Sequence, residues 1–174
     1  MALSDNDIRE EIKSGRLSFS PKISDAQIGA ASVDLTLDGK FWVFKKKYVQ
    51  GKKAVDLASV PFTEATEEHD EEEITLKPGE MCLGITVEKI RLAPSIMGTL
   101  EGRSRYARMG LAVHVTSALV QPGSDNHQVL EIVNLAPFAV TIRKGMRISQ
   151  IVFERMDSPT GKPYAKFGKI AKKQ

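Results

Sequence analysis

Residues 101–110, Glu-Gly-Arg-Ser-Arg-Tyr-Ala-Arg-Met-Gly, place three arginines and a serine between two apolar runs. Guanidinium forks match phosphate oxygens two at a time, and a serine hydroxyl can donate to the same group. The segment therefore reads either as a phosphate-binding loop or as a solvated loop with ordinary surface arginines. Residues 129–134, Val-Leu-Glu-Ile-Val-Asn, carry one carboxylate, Glu131, inside an apolar strand. A carboxylate set among apolar neighbours can act as a general acid or base, with burial and a nearby arginine pulling its pKa in opposite directions. An outward-facing glutamate on a half-exposed strand is the other reading. His114 lies in a similar apolar run, 111–116, where a core or interface role is a more natural reading than a chemical one. Cys82 sits in Met-Cys-Leu-Gly-Ile and reads as a small buried hydrophobe.

Several chemistries are excluded. There is no GxxxxGK[ST] loop, no GxGxxG and no HExxH. Zinc nucleoside deaminases need an HxE and a PCxxC, which one cysteine and three scattered histidines cannot supply.

The elements that must hold these residues are mostly strands. Ser4 and Asp7 form a capping box, Leu3 and Ile8 a hydrophobic staple, and Gly15 a stop, so the first 15 residues predict a helix. Ser24 and Gln27 form a second, weaker box. Beyond this the apolar period is two. Val33, Leu35 and Leu37 alternate with polar residues, and short apolar runs follow at 41–44, 74–76, 81–87, 90–92, 96–100, 111–116, 129–133, 140–142 and 148–153. Turn chemistry separates them at 77–80, 121–123 and 143–145. The pattern is all-β, a sandwich, barrel or jelly roll with a short N-terminal helix. Segments 45–53, with five lysines, and 64–73, with seven acids and no lysine or arginine, are expected to be loops.

At 174 residues the chain is expected to be a single domain, 1–174, with 162–174 a mobile tail of five lysines and no acid. The net charge is +3, but without the acidic decade 64–73 it is +10, from 25 basic residues against the remaining 15 acids. The body is basic, which suits an anionic partner. No membrane span or signal peptide is visible, so a cytoplasmic location and no membrane partner are expected. No series of aromatics suited to stacking bases is present, so nucleic acid is not expected.

In order, these segments resemble the dCTP deaminase branch of the trimeric dUTPase-like superfamily. Residues 32–37, Ser-Val-Asp-Leu-Thr-Leu, are similar to its first strand motif, and 102–108 to its GRSxxAR phosphate motif. Residues 114–117, His-Val-Thr-Ser, resemble HVTA. Pro122-Gly123 followed by Val129-Leu130-Glu131-Ile132 resembles its hairpin and VLE strand. Residues 145–148 and 150–153 resemble the next strand, and Ser158-Pro159 and Pro163-Tyr164 the start of the C-terminal segment. The resemblance covers almost the whole chain.

It implies a distorted jelly roll (a dUTPase-like β-clip) that forms homotrimers with sites at subunit interfaces. It implies hydrolytic deamination of dCTP to dUTP and ammonia, feeding dUMP and dTTP synthesis, without zinc. Mg²⁺ would ride on the triphosphate, with no metal site in the protein itself. By position, Glu131 is the general base and proton shuttle, and Ser104 and Arg108 are its catalytic companions. Arg103, Ser104 and Arg105 approach the triphosphate. Tyr106, Ala107, Arg108, Gln121, Val129 and Leu130 belong to the substrate site, Ser117 helps hold the water, and Tyr164 and Lys166 come from a closing tail. Three positions depart from the family pattern. Gln121 replaces the aspartate before Pro-Gly, Ser124 replaces an aromatic, and Leu119 stands where the dUTP-forming enzyme carries an arginine. The tail is also shorter and lacks an expected glutamine. Glutamine is a poor base, so Gln121 argues against pyrophosphate release. The alternatives are a bifunctional enzyme making dUMP and pyrophosphate, a dUTPase, an enzyme for a modified pyrimidine nucleotide (raised by Ser124 and Leu119), and a non-catalytic nucleotide-binding module.

Overall fold

A computed structural model describes residues 1–51, 54–114 and 116–168. Of the positions singled out above, Lys52, Lys53, Val115, Lys169, Lys172 and Lys173 lie outside the described residues. Helix α1 spans Asp5–Lys13 and begins with the expected capping box, in which Ser4 and Asp7 exchange hydrogen bonds. It ends where Gly15 takes a φ of +72°, a left-handed stop that glycine reaches without steric cost. Ile8 is fully buried on its inner face. Ser24 and Gln27 cap a single 3₁₀ turn, Asp25–Gln27. Three further four-residue helices, Lys46–Val49 (α2), Phe62–Ala65 (α3) and Ser104–Ala107 (α4), precede a fourth near the end, Tyr164–Phe167 (α5).

The rest is strand. In chain order these are β1 (Leu17–Ser20), β2 (Val33–Phe44), β3 (Thr66–Asp70), β4 (Glu73–Leu76), β5 (Met81–Leu92), β6 (Ile96–Gly102), β7 (Leu111–Val113), β8 (Leu119–Val120), β9 (Asp125–Asn134), β10 (Val140–Arg143) and β11 (Arg147–Arg155). Nine form one antiparallel sheet ordered β7-β9-β5-β2-β11-β6-β8, with β1 added to β5 and β3 to β2. β4 and β10 pair separately. The all-β, jelly-roll-like architecture with a short N-terminal helix is the one the sequence predicts. Among the described residues no helix is long and apolar enough to cross a membrane.

The core follows the period-2 rule. Val33, Leu35, Leu37 and Phe41 of β2 are fully buried, as are Leu130 and Ile132 of β9 and Ile151 and Phe153 of β11. Each such aliphatic or aromatic side chain contributes roughly 1.5–3 kcal/mol relative to exposure. Two pairs of apolar runs fuse where polar residues separated them. β2 continues through Asp38, Gly39 and Lys40, and β5 through Glu88 and Lys89. In β5 the pairing with β9 shifts between Ile85 and Lys89. The polar groups there are satisfied: Glu88 accepts from Gln27 Nε2 and the Thr36 amide, both at 2.8 Å, and Thr86 Oγ1 accepts from the Gln128 amide at 2.9 Å. The run at 111–116 ends early, at Val113, because His114 turns to a φ of +61°.

The acidic decade is not a loop. Phe62–Ala65 is a helical turn, and Thr66–Asp70 is a strand in register with β2, Lys40 opposite Asp70 and Phe44 opposite Thr66. A ladder needs only backbone groups, so the acids can point outward while Thr66 is buried, and Lys40 answers Glu68 at 3.0 Å.

A charged cluster ties α1 to the last strand. The buried Glu11 carboxylate accepts from Arg16 and, at 2.9 Å, from Arg155, which also reaches Asp7 at 3.1 Å. Arg16 first, then Arg155, holds the Glu11 carboxyl below its ordinary value. Ser4, then Arg155, does the same for Asp7. Carboxyls depressed in the folded state stabilise it above their unfolded values and lose that contribution as pH falls through the folded ones. Glu11→Gln should therefore cost about 1–2 kcal/mol at pH 7, limited by the half-exposed arginines. Urea denaturation of both proteins from pH 7 down through the ordinary glutamate value of 4.5 should show that gap closing.

Candidate active site

β9 is the strand on which a site can be built. Leu130 and Ile132 face the core, so the pleat turns Val129 and Glu131 to the opposite side. Glu131 lies between Leu83 of β5, its partner in register, and the chain leaving β7. There the His114 amide donates to the Glu131 carbonyl at 2.6 Å. After the left-handed turn at His114, Thr116 lies over the glutamate. Thr116 then holds both carboxylate oxygens, its amide donating to Oε2 at 2.7 Å and its hydroxyl to Oε1 at 2.6 Å. One residue thus fixes the plane and direction of the carboxylate. The His114 ring closes the turn by donating from Nε2 to the Ser117 carbonyl.

Glu131 faces a cavity of about 350 Å³, large enough for a nucleoside-sized ligand. Its walls carry His114, Ser117, Gln121, Ser124, Gln128 and Tyr164. Glu131 is the one formally charged side chain among them. Tyr164 arrives because α5 crosses the turn at 122–123, its amide donating to the Pro122 carbonyl and that of Ala165 to Gly123, both at 3.0 Å. Gly123 permits the crossing. Its φ is +75°, and a Cβ there would stand 2.5 Å from Pro163 Cβ.

The arginines form a separate cluster. Arg103, Ser104 and Arg105 line a second cavity of about 280 Å³ with Gln27, Ser32, Asp34 and Gln150. Arg103 is anchored, reaching the Asp34 carboxylate at 2.9 Å and the Arg147 carbonyl at 3.0 Å. Burial pushes the Asp34 carboxyl above its ordinary value, against the opposing pull of Arg103 and Arg147. Gln150 braces the same wall, accepting from Ser32 at 2.9 Å and donating to Gly102 at 3.1 Å. Arg105 is exposed. This polar recess, with two arginines against one carboxylate, suits an anion.

Of the residues expected from sequence, Ser117, Gln121, Val129, Glu131 and Tyr164 meet at the first cavity. Arg103, Ser104 and Arg105 meet at the second. Tyr106, Ala107, Arg108 and Lys166 line neither; Ala107, Arg108 and Lys166 are exposed, and Tyr106 rests against the core. Leu130 also lines neither: its side chain is fully buried in the core, because alternation sends it away from the face that Glu131 occupies. The structure adds residues that sequence reasoning missed. Thr116 and Asp34 sat inside quoted motifs, where a residue flanking each named one was the available signal. Gln150 likewise opened a quoted segment, Gln27 was read only as a helix cap, and Gln128 gave no signal.

A family described as dCTP deaminase-like matches residues 2–156. The dCTP deaminase of Rhodospirillum rubrum is 42% identical over 175 residues, covering 95% of this chain and 88% of that protein. A dUMP-forming dCTP deaminase of Methanosphaera stadtmanae is 38% identical, covering 93% of this chain and 83% of that protein. Among solved structures, a 2′-deoxycytidine 5′-triphosphate deaminase from Agrobacterium tumefaciens shares the fold, with a TM-score of 0.67 over 89% of this chain at 22% identity. This chain spans 47% of that protein's length.

The crossing at Gly123 is directly testable. Gly123→Ala must adopt a left-handed φ and meets Pro163, so a loss of about 1–2 kcal/mol is expected. Exchange of the Tyr164 and Ala165 amides should accelerate at least tenfold or so, read by hydrogen exchange. Unchanged protection would show that the crossing does not need glycine.

Proposed function

Because this chain belongs to the dCTP deaminase-like family, we infer that Glu131 is the base with which it deaminates dCTP. The protein is a dCTP deaminase, an enzyme acting on the cytosine ring. The observation that carries the role of Glu131 is its carboxylate, turned to the nucleoside-sized cavity with both oxygens fixed by Thr116. A water beside it loses a proton to the carboxylate as its oxygen bonds to C4. Glu131 passes that proton to ring N3, which received the electron pair of the attacked C=N bond; the carboxylate then takes the remaining proton of the C4 hydroxyl and hands it to the departing amino group. The C4–N bond breaks, ammonia leaves and a carbonyl remains, so dCTP and water become dUTP and ammonia. The Ser117 backbone, at the same cavity wall, is suited to hold the water.

The triphosphate requires the other cavity. Arg103, Ser104 and Arg105 supply donors and positive charge, with Arg103 held in place by Asp34. Asp34 is the one carboxylate lining that recess, and it is already ion-paired. The set fits a triphosphate that brings its own Mg²⁺, which screens the phosphate charge when bound. The two recesses have separate linings within one subunit, and neither includes Arg108. That separation supports a homotrimer in which the glutamate of one copy meets Ser104 and the arginines of another. The product is read as dUTP, because Gln121 brings an amide, and no base, to the cavity wall. A nucleoside triphosphate substrate fits a cytoplasmic enzyme.

Purified protein given dCTP and Mg²⁺ should release ammonia without pyrophosphate; pyrophosphate with dUMP would overturn the reading of Gln121. Glu131→Gln should lose at least a thousandfold or so in kcat while still binding nucleotide. Turnover near the parent's would remove Glu131 as the base. Glu131→Gln and Ser104→Ala trimers, dissociated and reassembled together, should recover roughly a quarter of the parental sites. No recovery would place both residues in one subunit's site.

A further inference from the structure

A recess of about 490 Å³ between α1 and the turn Asp25–Gln27 belongs to neither of the cavities described above. Its floor is apolar. Ile12, Ile23 and Ile28 are half-buried and pack on the core. Phe19 is buried, its ring edge-on to Phe153 with centroids 6.2 Å apart, so the floor is well supported. Its rim is basic. Arg9, Lys13 and Lys22 stand against one carboxylate, Asp25, and all four are exposed. Arg9 and Ile12, and Arg9 and Lys13, are three and four residues apart, which sets them on one face of α1. Arg9 is paired with Asp25. The ammonium groups of Lys13 and Lys22 have no ion pair or hydrogen bond among the described residues.

Sites for small molecules join a mostly apolar surface to a few polar groups that fix orientation, and their volumes run from roughly 300 to 1,000 Å³. This recess fits that description. Two unpaired lysines select an anion, and three isoleucines select one with an apolar body. A bare phosphate would gain nothing from the floor, and a neutral hydrocarbon nothing from the rim.

The recess also shares a wall with the phosphate site. Asp25 faces the first, Ala26 and Gln27 line the second, and Ile28 lines both. The same turn steadies the arginines. The Ala26 carbonyl accepts from Arg147 Nη1 at 2.7 Å, and Gln27 Nε2 donates at 3.1 Å to the carbonyl of Asp34, the residue that pairs with Arg103. A bound anion competes with Asp25 for Arg9 and repels the Asp25 carboxylate. It therefore favours a position of the turn other than the one these contacts fix, and a ligand shifts an equilibrium only through such a difference.

We propose that this recess is a second ligand site, taking an organic anion with an apolar body, and that its occupancy weakens nucleotide binding at the Arg103 recess. The site stands by itself; its effect on nucleotide rests on the deaminase reading. Two acid groups offer the charge, a carboxylate and a phosphate monoester.

The probe is 8-anilinonaphthalene-1-sulfonate, an anion of this class that reports apolar surface by fluorescence. It should bind the parent saturably, and less tightly as salt rises. The double variant Lys13→Gln/Lys22→Gln should bind it about tenfold more weakly yet melt with the parent, because both side chains are exposed and unpartnered. Octanoate and phenyl phosphate then compete for the probe, and the stronger competitor identifies the acid group. The affinity of Glu131→Gln protein for dCTP, read by calorimetry, should fall about fivefold when that competitor is saturating, and should not fall in the double-lysine background. Linkage requires dCTP to weaken the competitor by the same factor. No saturable binding, equal binding by parent and double variant, or displacement by neither competitor overturns the site. Lysine-dependent binding that leaves dCTP affinity unchanged overturns the coupling. If dCTP itself does not bind, the deaminase reading fails, while lysine-dependent binding of the probe still upholds the site.

Discussion

The alternation of β9 is the constraint on which the rest depends. Leu130 and Ile132 are fully buried, and that burial fixes the register against β5 on one side and β7 on the other. A slip of one residue would send Glu131 into the core and two aliphatic side chains into the cavity, losing several kcal/mol of burial and stranding a charge. The Glu131 carboxylate is thus aimed at the cavity by hydrophobic side chains on the opposite face of its strand. The turn at His114 completes the arrangement, because only a chain that leaves β7 early can bring Thr116 back over both oxygens.

The same economy governs the basic recess. Asp34 lies on the half-buried face of β2, between the fully buried Val33 and Leu35. Its backbone carbonyl accepts from Gln27 at 3.1 Å, and Gln27 is in turn held by the buried Glu88. A chain of polar contacts therefore runs from the interior of β5 to the Asp34–Arg103 pair. Buried groups of this kind are costly alone and stabilising only when every member is satisfied, as these are. They set Arg103 before any ligand arrives, which lowers the ordering entropy that binding must overcome.

Much of this was legible in the chain. The capping box and the glycine stop located α1, and period-2 runs located most strands, because local hydrogen bonding and burial decide both. The chemistry of residues 102–108 and of Glu131 was visible in residue type and spacing. The division of those residues between two recesses was not, since it depends on where β6 and β9 end in space. Alternation alone could have placed the Leu130 side chain in the core once Glu131 was set facing the cavity. The fusion of runs through Gly39 and Glu88 was hidden because polar residues interrupt the pattern, and their partners lie 52 and 61 positions away in the case of Glu88. The acidic decade misled for a related reason: strong charge argues against burial, yet a strand needs none on its outer side.

That acidic strand has a further consequence. β3 pairs with β2 and, among the described residues, with no other strand, so it is a free margin of the large sheet. Unpaired amides and carbonyls along such a margin invite another chain to zip on. Here any approaching copy would bring its own Glu67, Glu68 and Asp70 against the same three carboxylates. Mutual repulsion makes that pairing unfavourable, and salt screens the repulsion. The three carboxylates of β3 thus act as a guard against fibrous self-association, and the protein should be more prone to precipitate as strand-rich aggregate in salty solution.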